Sequence, residues 1–213
     1  MHRGDNKNLL GGLPWEREIE PGGAPGPLKG FFVTETEFLA EYSIPPKYRM
    51  ARLKDHTSPL NLESSYFFFS PTPGNGKTHL AWAFVNEFLL TSEVKFKKVY
   101  RPAFWTFGEI QLRLRASIGN GKETEEEVVD ELSGAKLLIL DDVGGMRPKE
   151  ASDYSLSVLF EILNNRYSWE RQTIITSNQS LGELSKVFDD RIASRIAGMC
   201  VVQELKGSDR RVG

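Results

Sequence analysis

The chain carries the stretch Ser70-Pro71-Thr72-Pro73-Gly74-Asn75-Gly76-Lys77-Thr78. It follows the apolar run Tyr66-Phe67-Phe68-Phe69, which predicts a strand buried on both faces. It also opens a helical pattern that extends from Lys77 to about Leu90. A strand, a glycine-rich turn and a helix in this order are typical of a loop that binds phosphate groups. An ordinary strand-to-helix turn is the weaker alternative.

The residue types of this loop suit phosphate chemistry. Gly74 and Gly76 let backbone N–H groups approach phosphate oxygens, and the helix N-terminus adds partial positive charge. We expect Lys77, exposed at the helix start, to reach the β- and γ-phosphates, and Thr78 to ligate Mg²⁺. Pro71 replaces the usual first glycine of such loops, but it leaves the donors nearest the phosphates intact. The residues that we expect to contact ATP here are Pro73, Gly74, Asn75, Gly76, Lys77, Thr78 and His79.

Two further strand ends carry polar residues. The apolar run Leu137-Leu138-Ile139-Leu140 ends in Asp141 and Asp142. Because ligand sites in parallel sheets lie at the carboxyl ends of strands, we expect Asp141 to hold Mg²⁺ and Asp142 to act as general base for the attacking water. Asn178 follows the next run, Thr173-Ile174-Ile175-Thr176, and is expected to contact the γ-phosphate. Solvated loop and turn residues are the alternative for all three side chains.

The remaining pattern alternates strands with helices, which predicts an α/β fold with a parallel sheet covered by helices on both faces. The further predicted elements are a weak strand over Phe96 to Tyr100, helices over 104–118 and 123–133, a long helix with Leu156, Leu159, Phe160, Leu163 and Tyr167 on one face, and a strand at Val201-Val202.

The N-terminal part has a different composition. The stretch from Pro21 to Pro27 is too rich in proline and glycine for a helix or a central strand. We predict a flexible arm over residues 1–43, with one short helix from Glu35 to Tyr42, where Thr34 and Glu37 have capping-box spacing. Residues 44–213 are predicted to form one P-loop ATPase domain.

Composition excludes several classes of function. The net charge of −2 provides no overall field that attracts nucleic acid, so any such contact needs a local basic patch. The single cysteine, Cys200, rules out an internal disulfide, and the three scattered histidines argue against a zinc site. No apolar stretch approaches the roughly 18 residues that a membrane helix needs, and no signal core follows Met1. We therefore expect a cytoplasmic protein without membrane contact.

Several motifs together resemble the DnaC/IstB family of AAA+ ATPases, over roughly residues 44–211. The matching stretches are Ile44–Arg49, Gly74–Ala81, Leu137–Gly144, Thr176–Asn178 and Asp189–Ile196. The resemblance implies an AAA+ core that uses ATP and Mg²⁺, and we expect no separate lid domain. It also implies homo-oligomers on single-stranded DNA and a role as replicative helicase loader, with an IstB-like transposition regulator that partners a transposase as the alternative. A P-loop kinase and a nucleotide-binding scaffold without turnover are less well supported.

The resemblance also assigns roles to arginines. It implies that Arg195 is an arginine finger that reaches a neighbouring subunit's γ-phosphate, with Arg191 as the close alternative. An exposed salt-bridged helix face beside Asp189 and Asp190 is the plainer interpretation. Arg210 is a candidate nucleotide sensor or a solvated tail residue. Asp142 stands where many AAA+ proteins have glutamate, so slow hydrolysis is expected.

Two segments are candidates for macromolecular contacts. Basic residues near Phe104 and Trp105 suit single-stranded DNA, because bases stack on aromatic rings while cations pair with phosphates; a packed apolar helix face is the equal alternative. The basic residues that we select for DNA contact are Arg113, Arg115 and Lys122. In the arm, Trp15 and Ile19 lie on a segment that either orders on the replicative helicase or transposase or stays unstructured.

Overall fold

Five parallel strands form one sheet in the order β2-β3-β4-β1-β5. The structure is a computed structural model that describes residues 35–56, 58–96, 102–120, 123–145 and 152–207. The strands are β1 Tyr66–Phe69, β2 Ala103–Thr106, β3 Leu137–Asp141, β4 Gln172–Ser177 and β5 Val201–Glu204. The helices are α1 Glu35–Glu41, α2 Lys77–Phe96, α3 Phe107–Asn120, α4 Glu125–Gly134, α5 Asp153–Ser168, α6 Leu181–Val187 and α7 Asp190–Met199, with short 3-10 turns at Pro46–Tyr48 and Leu53–Asp55.

The sheet has a hydrophobic core on each face, which explains the unbroken apolar runs of its strands. Successive residues of a strand point to opposite faces. Thus Phe67 and Leu138 pack in the core under α3, α4, α5 and α7, whereas Phe68 and Leu137 pack in the core under α1 and α2. The predicted fold class, a parallel sheet covered on both faces, is confirmed.

Parallel pairing brings the carboxyl ends of the inner strands to one edge. Phe69 at the end of β1 is paired with Ser177 at the end of β4. Leu140 of β3 is paired with Ile175 of β4, so Asp141 lies beside Thr176. The phosphate loop, the acidic pair and the end of β4 therefore meet at this edge.

The second strand lies elsewhere than predicted. Phe96 is the last residue of α2, and residues 97–100 lie outside the described part of the chain. The strand is Ala103–Thr106, although the sequence pattern places residues 104–106 in the predicted helix over 104–118; that helix begins at Phe107. A short apolar run does not distinguish a buried strand from a helix by periodicity. The missed signal was the capping-box spacing of Thr106 and Glu109, which marks the start of the helix. The Thr106 N–H donates to the Glu109 carboxylate at 2.8 Å, and the Glu109 N–H donates to the Thr106 hydroxyl at 3.2 Å.

A short helix, α1, lies where it is predicted, but it packs in the core and is not part of a flexible arm. Leu39 and Ile44 are buried against α2. The Asn86 amide of α2 donates to the carbonyl oxygens of Tyr48 at 2.7 Å and Ala51 at 3.0 Å. Residues 1–34, including the proposed cap at Thr34, lie outside the described residues. In the part of the chain that the structure describes, every helix is too short or too polar to span a membrane.

A buried arginine ties the elements together at the opposite edge of the sheet. Arg166 of α5 is fully buried, and the acceptors that it binds among the described residues are all neutral. Those acceptors are the carbonyl oxygens of Leu132, Ser133, Ala135 and Gln172 and the hydroxyl of Thr173. Burial, with a smaller contribution from Arg171, lowers the pKa of Arg166 to about 9, so the side chain remains protonated at neutral pH. It joins the end of α4 to the start of β4.

Candidate nucleotide site

The phosphate loop occupies residues 70–76, between β1 and α2. Gly74 and Gly76 have φ angles of 70° and 102°, which side-chain-bearing residues rarely adopt. The Ser70 N–H donates to the Ser177 carbonyl at 3.1 Å, so the loop leaves the sheet only after one more ladder bond. The two glycines therefore bend the chain into the start of α2, as the sequence pattern predicted.

Lys77 is buried rather than exposed, contrary to our expectation. Its side chain turns back into the loop, and its ammonium group donates to the carbonyl oxygens of Ser70 at 3.2 Å and Thr72 at 3.1 Å and to Asn75 Oδ1 at 3.3 Å. Only 8% of the residue is exposed. The loop thus surrounds a positive charge, which is the arrangement needed to bind a polyphosphate.

Asn75 connects the loop to the far end of the chain. Its amide donates to the Leu205 carbonyl, just after β5, at 2.9 Å. Because both ends of this side chain already bind protein groups, a phosphate contact from Asn75 would come from its backbone N–H. Pro73 is exposed, as is His79, whose ring lies edge-on to that of Tyr48 at 6.2 Å. The 3-10 turn Pro46–Tyr48 therefore lies beside the first turn of α2.

Asp141 joins the loop to the sheet. The Thr78 hydroxyl donates to the Asp141 carboxylate at 3.0 Å and the Thr176 hydroxyl at 2.6 Å. Burial raises the pKa of Asp141 above its ordinary value, whereas these two hydrogen bonds oppose the rise. A carboxylate and a hydroxyl oxygen are hard ligands that suit Mg²⁺ together with nucleotide phosphates. The pair Thr78 and Asp141 therefore fits the predicted metal position.

Asp142 has an unusual backbone conformation. Its φ of 56° lies in the left-handed region, which costs about 1–3 kcal/mol for a residue other than glycine. Its N–H donates to the Thr176 hydroxyl at 2.9 Å, and its exposed carboxylate accepts from the Asn178 amide at 2.9 Å. A Cβ at Gly145 would come within 2.3 Å of this carboxylate, so any other residue there would require the Asp142 side chain to move. The turn presents Asp142 to solvent beside Asn178.

The acidic turn is held by the last two residues of β4, Thr176 and Ser177, and by Asn178, which follows them. Thr176 binds Asp141 and Asp142, the Ser177 hydroxyl donates to the Val143 carbonyl at 2.6 Å, and Asn178 binds Asp142. Of the three, sequence reasoning selected only Asn178. The sequence signal for Thr176 and Ser177 was two hydroxyl residues in a row at the end of an apolar strand.

The predicted finger residues lie on α7, against α5. The Arg195 Nε donates to Asn164 Oδ1 at 2.8 Å, and its guanidinium lies 5.0 Å from the Tyr167 ring centre. Arg191 pairs with Asp189 at 2.8 Å, which confirms the salt-bridged interpretation for this residue. Within the described residues, Arg195 has no acidic partner, and neither arginine is hydrogen-bonded to the phosphate loop.

The predicted DNA residues have different surroundings. Arg113 is largely buried, forms ion pairs with Glu123 and Glu131, and lies 4.9 Å from the Trp105 ring centre. Phe104 and Trp105 are buried, as the packed alternative expects, but they lie on strand β2 and not on a helix. Arg115 is exposed on α3 and remains a candidate. Lys122 and Arg210 lie outside the described residues.

Residues 64–211 match the family of IstB-like ATP binding proteins. The replicative helicase loader DnaC of Escherichia coli (strain K12) is 29% identical over 130 residues, which are 61% of this chain and 49% of that protein. The phage-like element PBSX protein XkdC of Bacillus subtilis (strain 168) is 26% identical over 188 residues, 86% of this chain and 60% of that protein. The chain thus spans about half the length of the helicase loader.

Solved structures share the fold. The crystal structure of the DnaC helicase loader aligns with a TM-score of 0.60 at 24% identity, over 76% of this chain and 100% of that one. AMPPCP-bound DnaA from Aquifex aeolicus aligns with a TM-score of 0.55 at 26% identity, over 84% of this chain and 50% of that one.

Proposed function

Because the chain belongs to the family of IstB-like ATP binding proteins, which matches residues 64–211, we propose that it binds ATP with Mg²⁺ and hydrolyses it. The observation that carries the proposal is the contact between the two nucleotide motifs. The Thr78 hydroxyl and the Asp141 carboxylate lie 3.0 Å apart although they are 63 positions apart in sequence. An ordinary strand-to-helix turn after β1 would not require a contact between Thr78 and Asp141.

Each residue of the site has a distinct part in the proposed reaction. The loop N–H groups and the Lys77 ammonium bind and neutralise the triphosphate, while Thr78 and Asp141 hold the metal. Mg²⁺, when bound, supplies further positive charge at the phosphate oxygens. Asp142 accepts a hydrogen bond from the attacking water, and the Asn178 amide orients both the water and the Asp142 carboxylate. Because phosphoryl transfer depends mainly on positioning and charge, these groups would supply the positioning and charge that one chain contributes to the reaction.

We propose that this ATPase acts in DNA replication as a helicase loader. The similarity to a replicative helicase loader over 61% of the chain supports this role. Its partners would be the replicative helicase of its host and single-stranded DNA, on which it would form homo-oligomers. The family match also supports a second candidate, a regulator of transposition whose partner is a transposase. Binding of the purified protein to host helicase or to transposase, followed by light scattering, distinguishes the two.

The ATPase is tested with two variants. We expect Lys77→Ala to lose Mg-ATP binding, because it removes the positive charge inside the loop. We expect Asp142→Asn to keep binding and to stop hydrolysis, because asparagine tolerates the left-handed backbone but is a poor base. Calorimetry measures binding, and phosphate release measures turnover.

Lys54→Ala, at an exposed lysine, is the matched control. Since Lys77 also holds loop carbonyl groups, its variant must first be shown to be folded by circular dichroism. A folded Lys77→Ala protein that binds ATP as tightly as wild type would refute the nucleotide site. Unchanged phosphate release by Asp142→Asn would assign the base elsewhere.

A further inference from the structure

One buried hydroxyl connects the two acidic residues of the site. Thr176 lies at the end of β4, the middle strand of the sheet, and only 1% of it is exposed. Its Oγ1 lies 2.6 Å from Asp141 Oδ1 and 2.9 Å from the backbone nitrogen of Asp142. A single group therefore contacts both the residue assigned to the metal and the residue assigned to the water.

The direction of these hydrogen bonds follows from their chemistry. A backbone N–H can only donate, so the Thr176 oxygen accepts from Asp142. The one hydroxyl proton is then left for the Asp141 carboxylate, which accepts it in its charged form. Hydrogen bonds that end on a charged group are stronger than neutral ones and polarise one another. This chain of bonds therefore favours the ionised Asp141 that a metal site requires.

Thr176 and Thr78 hold Asp141 from two different elements. Thr78 belongs to the loop and helix that contact the nucleotide, whereas Thr176 belongs to the central strand. A threonine on a strand has few side-chain rotamers, because its Cβ is branched. The contact from Thr176 is thus the one that the sheet itself fixes.

We propose that Thr176 is a positioning residue, which orients the Asp141 carboxylate for Mg²⁺ and holds Asp142 in its left-handed backbone conformation. The inference rests on the proposed function, because it assigns Thr176 a part in the same site. The role requires the hydroxyl group. A side chain of equal shape without it would leave the buried Asp141 carboxylate and the Asp142 N–H group without this partner.

The test compares Thr176→Val, which keeps the shape and removes the hydroxyl, with Thr176→Ser, which keeps the hydroxyl. The first measurement is the Mg²⁺ concentration that half-saturates binding of a fluorescent ATP analogue. We expect Thr176→Val to raise it roughly 10–100-fold, as is usual when the partner of a metal ligand is lost. We expect Thr176→Ser to remain near wild type. Hydrolysis per bound nucleotide should fall in Thr176→Val and stay near the wild-type rate in Thr176→Ser.

Ser177→Ala is the matched control, because Ser177 holds the same turn through the Val143 carbonyl and does not contact either carboxylate. We expect it to lower the unfolding temperature and to leave the Mg²⁺ requirement unchanged. If Thr176→Val proves unfolded, Thr176→Ala and Thr176→Ser form a second pair that differs by one oxygen atom.

Two results would overturn the inference. One is a hydroxyl-free variant with the Mg²⁺ requirement of wild type. The other is a Ser177→Ala protein with the same increase as Thr176→Val, since this would attribute the effect to a looser turn. A wild-type protein that binds no Mg²⁺ and nucleotide would refute the proposed function itself, and the inference with it.

Discussion

Asp141, the proposed metal ligand, reduces the stability of the folded chain at neutral pH. Burial raises the pKa of Asp141, and the Thr176 and Thr78 hydroxyls only partly oppose the rise. The folded state therefore holds the Asp141 proton more tightly than the unfolded state does. This contribution to stability is fully present below the unfolded pKa, near 3.8, and is lost as the pH rises through the folded pKa.

We expect Asp141→Asn to be more stable than wild type at pH 7 without Mg²⁺, by on the order of 1 kcal/mol, as is usual when a costly functional group is removed. The advantage should shrink as the pH falls towards 4, where wild-type Asp141 becomes protonated. Urea unfolding at a series of pH values measures this difference in the free energy of unfolding. Nucleotide binding should at the same time lose its dependence on Mg²⁺.

Asp130→Asn, on the exposed face of α4, is the control and should change neither property. An Asp141→Asn advantage of equal size at pH 4 and pH 7 would contradict the explanation, because shape rather than ionisation would then be responsible.

Helix α3 carries two arginines with opposite roles. Arg113 is held by two carboxylates and covers Trp105, whereas Arg115, two residues later, points away from the core. A guanidinium paired with two carboxylates is poorly suited to a phosphate, because binding DNA would first have to break both pairs. Of the two, Arg115 is the better candidate for a DNA contact.

We expect Arg115→Ala to weaken binding of single-stranded DNA and to reduce the slope of log affinity against log salt by about 0.7, the value for one lost phosphate contact. Arg113→Ala should leave this slope unchanged and destabilise the fold by about 1.5–3 kcal/mol, because hydrogen bonds to charged groups are lost. Fluorescence anisotropy at several salt concentrations measures the slope.

Arg115→Lys keeps the charge and should keep the slope. If Arg113→Ala, rather than Arg115→Ala, reduced the slope, the ion pairs of Arg113 would have to open on DNA. Arg113, and not Arg115, would then be the residue of α3 that contacts DNA.

If the chain forms the proposed homo-oligomers, Arg195 would act at the nucleotide site of a neighbouring chain. Its guanidinium rests on Tyr167 and Asn164, which fix its position without neutralising its charge. Such a cation is suited to an anionic group from outside the chain, and the γ-phosphate of a neighbouring protomer is the one that the proposed function supplies. Arginine fingers accelerate hydrolysis by about 10³ to 10⁵ where they are known.

We therefore expect Arg195→Ala to bind ATP normally and to lose hydrolysis by a factor of this order. Mixed with Lys77→Ala, which is also inactive, it should recover part of the activity, because some interfaces then pair an intact loop with an intact Arg195. Phosphate release from the mixture measures the recovery, and native mass spectrometry verifies that mixed oligomers form.

Arg191→Ala is the comparison, since Arg191 already pairs with Asp189. If only the mixture of Arg191→Ala with Lys77→Ala recovered ATPase activity, Arg191 would be the finger. No recovery with either variant, in verified mixed oligomers, would argue that both arginines act within their own chain.

The amino-acid sequence alone determined the strand, loop and helix of the proposed phosphate site, the acidic end of β3 and the parallel sheet covered on both faces. These features are local: a strand buried on both faces is a continuous apolar run, and the phosphate loop is contiguous in the chain. Where the local signal was ambiguous, as at Ala103–Thr106, the strand was assigned to the wrong residues.

Only the tertiary structure decided which side chains meet. Thr176 contacts Asp141 from 35 positions away, and the Asn75 amide contacts the Leu205 carbonyl from 130 positions away. It also decided that Lys77 is buried and that Arg113 is committed to ion pairs. The physical reason is that the register of parallel strands and the packing of helices on them set these distances, and neither is encoded in the spacing of residues along the chain.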